Sequence, residues 1–338
     1  MNKRPRRPPV VKKLQPTTRG SARQTSPIKR VVKQQAVNKL TRTTNARTNR
    51  RRRGRVPISP LFLLIVIIAV ATYFFIDTAN NGDHLPHEGM YVHFIDVGQG
   101  DATLVVTSAG NVLIDGGDNN MGRRVNNYLD SLGINSLSYV IATHPHADHI
   151  GGLISVLDER EVGVLILPQV VHNTNTFERF LDAIDNNNVP TRYSEVGTSF
   201  NLGGAIFTIL APQVTGCGNL NNCSVVLRVD YGERSFLLTA DAELESENHM
   251  LDNFYNHLNV DVLRIGHHGS HTSTSDPFLA AVDPSIAVIS VGQGNNWGHP
   301  HAVVMDRLAA ASIPIYRTDM HGNIVMWTNG IELNIEGD

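Results

Sequence analysis

Between residues 90 and 336, short runs rich in Val, Ile and Leu alternate with segments of helical spacing, and glycine-bearing turns separate them. Residues 91–97, 102–107 and 111–115 read as three strands divided by Gly-Gln-Gly-Asp and Ser-Ala-Gly, the layout of an antiparallel meander. A helix over 121–132 closed by Gly133 follows, then a strand over 138–143, a helix after Asp148 and a strand over 162–167. The second half repeats the style, with strands near 205–210, 224–230 and 235–239, a helix over 243–258, a strand over 260–265, a helix around 277–282 and a strand over 285–291. Two last strands are expected near 323–327 and 331–335. Meanders with interspersed helices predict an α/β (α+β) fold in which sheets pack on one another under helices. The halves share this layout without a short-period sequence repeat.

A different pattern precedes this region. Residues 56–76 form a 21-residue run without a charged side chain. At 1.5 Å per residue such a helix is about 31 Å long, enough to cross a bilayer core. A cleaved signal peptide has a shorter apolar region and no basic stretch of this length before it, so an uncleaved anchor is expected. Of the 29 Lys and Arg, 19 lie from Lys3 to Arg55, where there is no Asp or Glu, and the remaining 10, all Arg, face all 31 acids. The net charge of −2 therefore combines a strongly basic leading segment with an acidic remainder, which excludes a single soluble domain of uniform character. The expected organisation is a disordered basic cytoplasmic tail over 1–55, a transmembrane anchor over 56–76, a linker over 77–89 and a folded domain over 90–338. Arg50–Arg53 and Arg55 hold the N-terminus in the cytoplasm by the positive-inside rule and direct the folded domain outward. The tail suits anionic lipid, with nucleic acid as the second partner.

The chemistry concentrates after the strand at 138–143, in Thr143-His144-Pro145-His146-Ala147-Asp148-His149. Four metal-capable side chains within six residues at the exit of a buried strand are hard to explain as packing. Two imidazoles one residue apart reach one cation, while Asp148 and His149, where a helix begins, point at a neighbouring one.

This H-x-H-x-D-H run resembles the signature of the metallo-β-lactamase superfamily, αββα sandwich hydrolases with one or two metal ions. More narrowly, Phe94-Ile-Asp96-Val-Gly-Gln-Gly-Asp101-Ala, Leu113-Ile-Asp115-Gly-Gly, Asn221-Asn-Cys-Ser224, Leu237-Leu-Thr-Ala-Asp241, Gly266-His267-His268-Gly-Ser270 and Gly298-His299-Pro-His301 are similar to the lactamase-type domain of the ComEC family. The likeness spans 90–336. ComEC's polytopic channel has no counterpart here, and one span does not make a pore.

The resemblance implies His144 and His146 for a first ion, Asp148 and His149 for a second, Asp241 bridging both, and His267, preferred over its neighbour His268, from the next strand exit. Asp115 is expected to fix a ligand imidazole rather than to ligate. Where two-zinc members of the superfamily have a further histidine, this chain has Asn221 to Ser224, which leaves the first ion an open position and makes a mononuclear enzyme an alternative. The cofactor implied is one or two divalent ions, zinc first and manganese second, providing hydroxide at neutral pH. Asp148 or Asp241 would orient that hydroxide. A phosphodiester suits such a site, with Ser270, His271, His299 and His301 supplying hydrogen bonds or a proton to the leaving group, or else standing as plain surface or structural polar groups; the resemblance sets Asn221, Ser224 and His268 beside the ligands or the substrate. His93, His172, His249 and His257 have no partner spacing and read as structural or surface histidines. Gly98-Gln99-Gly100-Asp101 reads as a tight turn or as a loop at the edge of the site. Cys217 and Cys223 can bridge in an oxidising compartment, and are thiols in a reducing one.

The function expected is a membrane-anchored phosphodiesterase, nuclease-like and linked to DNA uptake. The alternatives are a cell-envelope phosphodiester (phosphorylcholine- or teichoic-type) esterase, an amide or lactam hydrolase, and a non-catalytic subunit of a DNA-uptake system. The acidic balance of the folded part argues against tight non-specific binding of long DNA.

Overall fold

The computed structural model describes residues 12–13, 88–213 and 217–336. The expected basic tail, apart from Lys12–Lys13, the anchor over 56–76 and most of the linker lie outside the described residues. No described helix is long and apolar enough to cross a membrane.

The first sheet begins with the expected meander, β2 (Met90–Phe94), β3 (Thr103–Thr107) and β4 (Gly110–Ile114), all antiparallel. It continues in parallel through β5 (Ser136–Ile141), β6 (Glu161–Leu167) and β7 (Thr191–Tyr193). β15 (Ile324–Thr328) and β16 (Leu333–Glu336) return antiparallel beside β2. The second sheet repeats the plan. β8 (Thr198–Leu202), β9 (Ala205–Ala211), β10 (Val226–Tyr231) and β11 (Arg234–Leu238) are antiparallel, and β12 (Val262–Arg264), β13 (Ile286–Ile289) and β14 (Ile315–Arg317) add in parallel. Lys12–Lys13, β1, pairs with β8.

Strand alternation sorts the side chains into layers. Val92, Phe94, Val105, Val112 and Ile141 of the first sheet meet Phe207, Leu227, Val229, Phe236 and Val262 of the second in one buried cluster. Leu104, Leu113 and Val140 face the other way, under α1 (Gly122–Ser131), α3 (Leu153–Glu159) and α4 (Asn175–Asn186). On the far side Leu237, Leu263 and Ile289 lie under α5 (Leu244–Phe254), α6 (Asp276–Val282) and α7 (Ala302–Ala310). The order of layers is helix, sheet, sheet, helix. With both faces covered, the strands read as near-continuous apolar runs.

Short turns at the strand exits carry the chemistry. α2 (Ala147–Ile150) starts directly after His146, a 3-10 turn at Leu220–Cys223 precedes β10, and another at Gly266–Gly269 follows β12. α8 (Thr318–His321) lies beyond β14. Cys217 and Cys223 are joined in a disulfide.

Candidate metal centre

Asp115 leaves β4 with its backbone N–H donating to Ile141 O, 2.9 Å away. Its buried carboxylate accepts from the Thr143 N–H (2.9 Å), the Thr143 hydroxyl (2.6 Å) and His149 Nδ1–H (2.8 Å). Burial raises the Asp115 pKa, and His149 beside it pulls the other way. Burial likewise opposes charge on His149, but Asp241, Asp115 and Asp148 outweigh it and raise that pKa well above the ordinary value. With Nδ1 engaged, His149 presents Nε2 to the cleft.

The chain turns sharply after β5. His144 Nε2 comes within 3.0 Å of His146 Nδ1. His144 Nδ1 lies 3.2 Å from Thr143 Oγ1 and 3.3 Å from Ser224 Oγ, and the Ser224 hydroxyl also accepts from the Asp241 N–H at 3.2 Å. Burial, and then the neighbouring His149, holds the His144 pKa well below its usual value, so the ring is a neutral donor.

The second sheet supplies the opposite wall. Asp241 follows β11 and is buried. One of its oxygens lies 3.3 Å from His149 Nε2, 3.8 Å from His144 Nε2 and 3.6 Å from His267 Nε2, and the other lies 3.5 Å from His268 Nε2. His268 donates from Nδ1 to Ser290 O at 2.9 Å, which turns Nε2 toward Asp241 and toward Asp148, also 3.5 Å away. Desolvation opposes ionisation of Asp241 and Asp148, but His149 and His268 outweigh it and keep both carboxyls well below the usual range.

Two sets of ligand atoms result, each with all members within 4.8 Å of one another: Asp148, His149, Asp241 and His268, and His144, His146 and Asp241. His149 Nε2, His268 Nε2 and Asp241 Oδ1 are buried without a hydrogen-bond partner. Buried polar atoms are rarely left unpaired, and these three converge. Imidazole nitrogens and carboxylate oxygens together suit zinc, manganese or iron, so the residues fit a divalent ion.

Several sequence expectations change. His268, not His267, joins the four-residue set. Both residues have left-handed backbones, φ 48° and 55°, and such a turn sends consecutive rings in different directions that spacing alone does not reveal. The His267 side chain is 22% exposed, and its Nδ1 lies 3.0 Å from Glu243 Oε1. Glu243 also accepts from Asn219, Asn221 and Thr272 and had no assigned part in the sequence reading. His172, read as a structural or surface histidine, donates to Pro145 O at 3.2 Å with its ring 5.6 Å from that of His146, a structural contact beside the ligand turn.

His299 stands 5.5 Å from His267 and 6.2 Å from His268, ring to ring. Burial, then the imidazoles of His268, His267 and His301, lowers its pKa to about 4. It is a neutral imidazole at pH 7, able to donate or accept a hydrogen bond. The His301 ring is 4.8 Å from His299, and its Nδ1 accepts from the His271 N–H at 2.9 Å. Ser270 Oγ bonds Thr272 Oγ1 at 2.9 Å. Asn221 donates from Nδ2 to Glu243 Oε1 at 3.1 Å.

The sequence is similar to that of known proteins. The chain is 33% identical over 251 residues to ComE operon protein 3 of Bacillus subtilis, covering 69% of this chain and 32% of that protein. It is 34% identical to Recombination protein 2 of Haemophilus influenzae, covering 69% and 28%. It is 29% identical to Competence protein ComA of Neisseria gonorrhoeae, covering 70% and 32%. The chain thus spans about a third of the length of the curated relatives it matches. Residues 95–293 match the metallo-beta-lactamase superfamily, and they contain both ligand sets; with helices outside two packed sheets and His and Asp converging at the strand exits, the chain belongs to that superfamily.

Proposed function

We propose that the chain is a metal-dependent phosphodiesterase, zinc-loaded, held in the membrane by a single span over 56–76 with its catalytic domain outside, and acting on nucleic acid in a DNA-uptake setting. The observation that carries the chemistry is the convergence of His149 Nε2, His268 Nε2 and Asp241 Oδ1, buried and unpartnered, on one point. The substrate and setting rest on likeness to relatives named for competence and recombination. The orientation rests on Arg50–Arg53 and Arg55 beside the apolar run.

Asp148, His149, Asp241 and His268 would hold one ion, and His144, His146 and Asp241 the other. What such ions supply when bound is Lewis acidity, which polarises a phosphoryl oxygen and acidifies water. The protein's own groups orient the reaction. Asp115 fixes His149 and Ser290 O fixes His268 through Nδ1, so in both rings Nε2 is the atom that would face an ion once its proton is given up. Asp148 and Asp241, kept ionised, accept a proton from or align an attacking water. His299 and His301, on the second-sheet rim, can hydrogen-bond the phosphoryl oxygens.

A second reading, a small cell-envelope phosphodiester, draws on one observation. Seven of the ten arginines in the described domain, residues 124, 160, 228, 234, 264, 307 and 317, are already paired with Asp. That leaves little for a polyphosphate track. The test is metal content of the purified full chain together with turnover of a bis-aryl phosphodiester and of single-stranded DNA, with Asp241→Asn as control. Cleavage of both supports the main reading, and cleavage of the small ester alone supports the second. Metal uptake without turnover of either would make the chain a non-catalytic partner.

A further inference from the structure

Arg264 is the last residue of β12, and by strand alternation it shares the inter-sheet face with Val262 rather than the outer face with Leu263. It is 1% exposed. An arginine there is costly unless its fork of N–H groups is matched, and it is. Nε donates to Asp101 Oδ1 at 3.1 Å, and Nη2 forms an ion pair with the other Asp101 oxygen. Nη1 donates to Ile265 O at 2.9 Å and to Ala240 O. Nη2 also faces His268 Nδ1 at 3.3 Å.

These carbonyls belong to the site. Ala240, with φ 47°, precedes Asp241, and Ile265 leads into the turn that carries His268. On the opposite sheet, the Asp101 N–H donates to Asp148 O at 3.1 Å, and Asp101 O accepts from the Gly117 N–H at 2.8 Å, just beyond Asp115. Gly100 permits the approach, because a Cβ there would stand 2.4 Å from Asp148 O and its φ is +145°. A single ion pair therefore grips the backbone around Asp148, Asp241 and His268, three members of the four-residue set, while Asp115 holds the fourth. The His144 side is reached instead through Thr143 and Ser224. Asp101 also lies close to Asp115 and His149, but that trio is saturated, Asp101 by Arg264 and Asp115 by Thr143 and His149.

We propose that Asp101 and Arg264 are positioning residues that set the geometry of the Asp148–His149–Asp241–His268 ion site by clamping the two sheets together behind it. The inference rests on reading that cluster as a metal centre. Removing the Asp101 charge loosens the clamp and leaves the guanidinium charge facing the bound cation.

The experiment is a cobalt(II) titration of the full chain, read from visible absorption with chelator competition, in the unsubstituted protein, Asp101→Asn and His268→Ala. The signal that His268→Ala abolishes marks the four-residue set. Asp101→Asn, nearly isosteric, is expected to weaken that binding event about 10- to 100-fold and to affect an event at the His144–His146–Asp241 set less, since that set shares only Asp241 with the clamp, with the circular dichroism spectrum preserved. If Asp101→Asn does not fold, Arg264→Lys takes its place and is expected to show the same selective loss, because an ammonium lacks the fork that holds two carbonyls and a carboxylate together. A lowered thermal midpoint with unchanged cobalt affinity would mean a merely structural pair and overturns the proposal. Absence of cobalt uptake by the unsubstituted chain overturns the proposed function and this inference together, whereas equal uptake by both forms overturns this inference alone.

Discussion

His268 Nε2 is sealed from solvent without a partner, whereas the His267 ring is partly exposed and bonded to Glu243. The two neighbours are therefore expected to respond differently to truncation. His268→Ala should lose one equivalent of metal and at least about 100-fold in turnover, while His267→Ala should keep its metal content, as elemental analysis and a phosphodiesterase assay would show. His93 gives a pH test away from the cleft. Burial lowers its pKa to about 4 from 6.5. Between those values the unfolded chain binds a proton that the folded ring refuses, so stability falls as pH drops through that window. The loss from pH 7 to pH 5 should be about 2 kcal/mol, visible in denaturant titrations and missing in His93→Gln. Single residues were legible in the sequence where chemistry and spacing coincide, as in residues 144 to 149. They were illegible where a partner is remote in the chain, as Glu243 is from His267, His172 from His146, and Arg264 from Asp101.

The meander and most of the later strands stand within a few residues of where apolar runs placed them, because β2, β3 and the second half of β4 are buried and mostly apolar. α4 was overlooked although its signals are present. Thr174 Oγ1 accepts from the Phe177 N–H as an N-cap, and Phe177, Phe180, Ala183 and Ile184 form the buried stripe. β7 and β14, three residues each, are too short for alternation to register. Contact between the sheets is the element-scale feature that sequence hides most completely. Tyr139 of the first sheet stacks on Phe200 of the second with ring centroids 4.2 Å apart, and Phe200 stacks on its strand neighbour Phe207 at 4.7 Å. Phe207→Ala should cost about 3–5 kcal/mol, measured by guanidinium unfolding, because a stacked ring between two sheets leaves a void that neither can close alone.

Across the whole molecule, the antiparallel-then-parallel plan occurs once in each sheet, and both copies deliver ligands from strand exits, His144 to His149 from the first and Asp241 and His268 from the second. The similarity of layout between halves and the packing of sheets under helices were legible from the strand and helix pattern; which strands face one another across the interface was not, since strand patterns do not state which sheet covers which. The paired arginines set a further expectation. Binding of single-stranded DNA by the full chain, titrated under anionic-lipid-free conditions with the tail segment blocked by heparin, should show a salt slope of magnitude about 1 to 3, since each neutralised phosphate contributes about 0.7. A markedly steeper slope would place an unrecognised basic track on the domain.

The outermost strands have a consequence for how copies of the protein meet one another. β7, β14 and β16 are only three, three and four residues long, and Arg192 and Arg317 lie in the first two. Such borders present too few free amides and carbonyls to template a neighbour's strand, so copies held side by side gain little from growing their sheets into one another and stay separate.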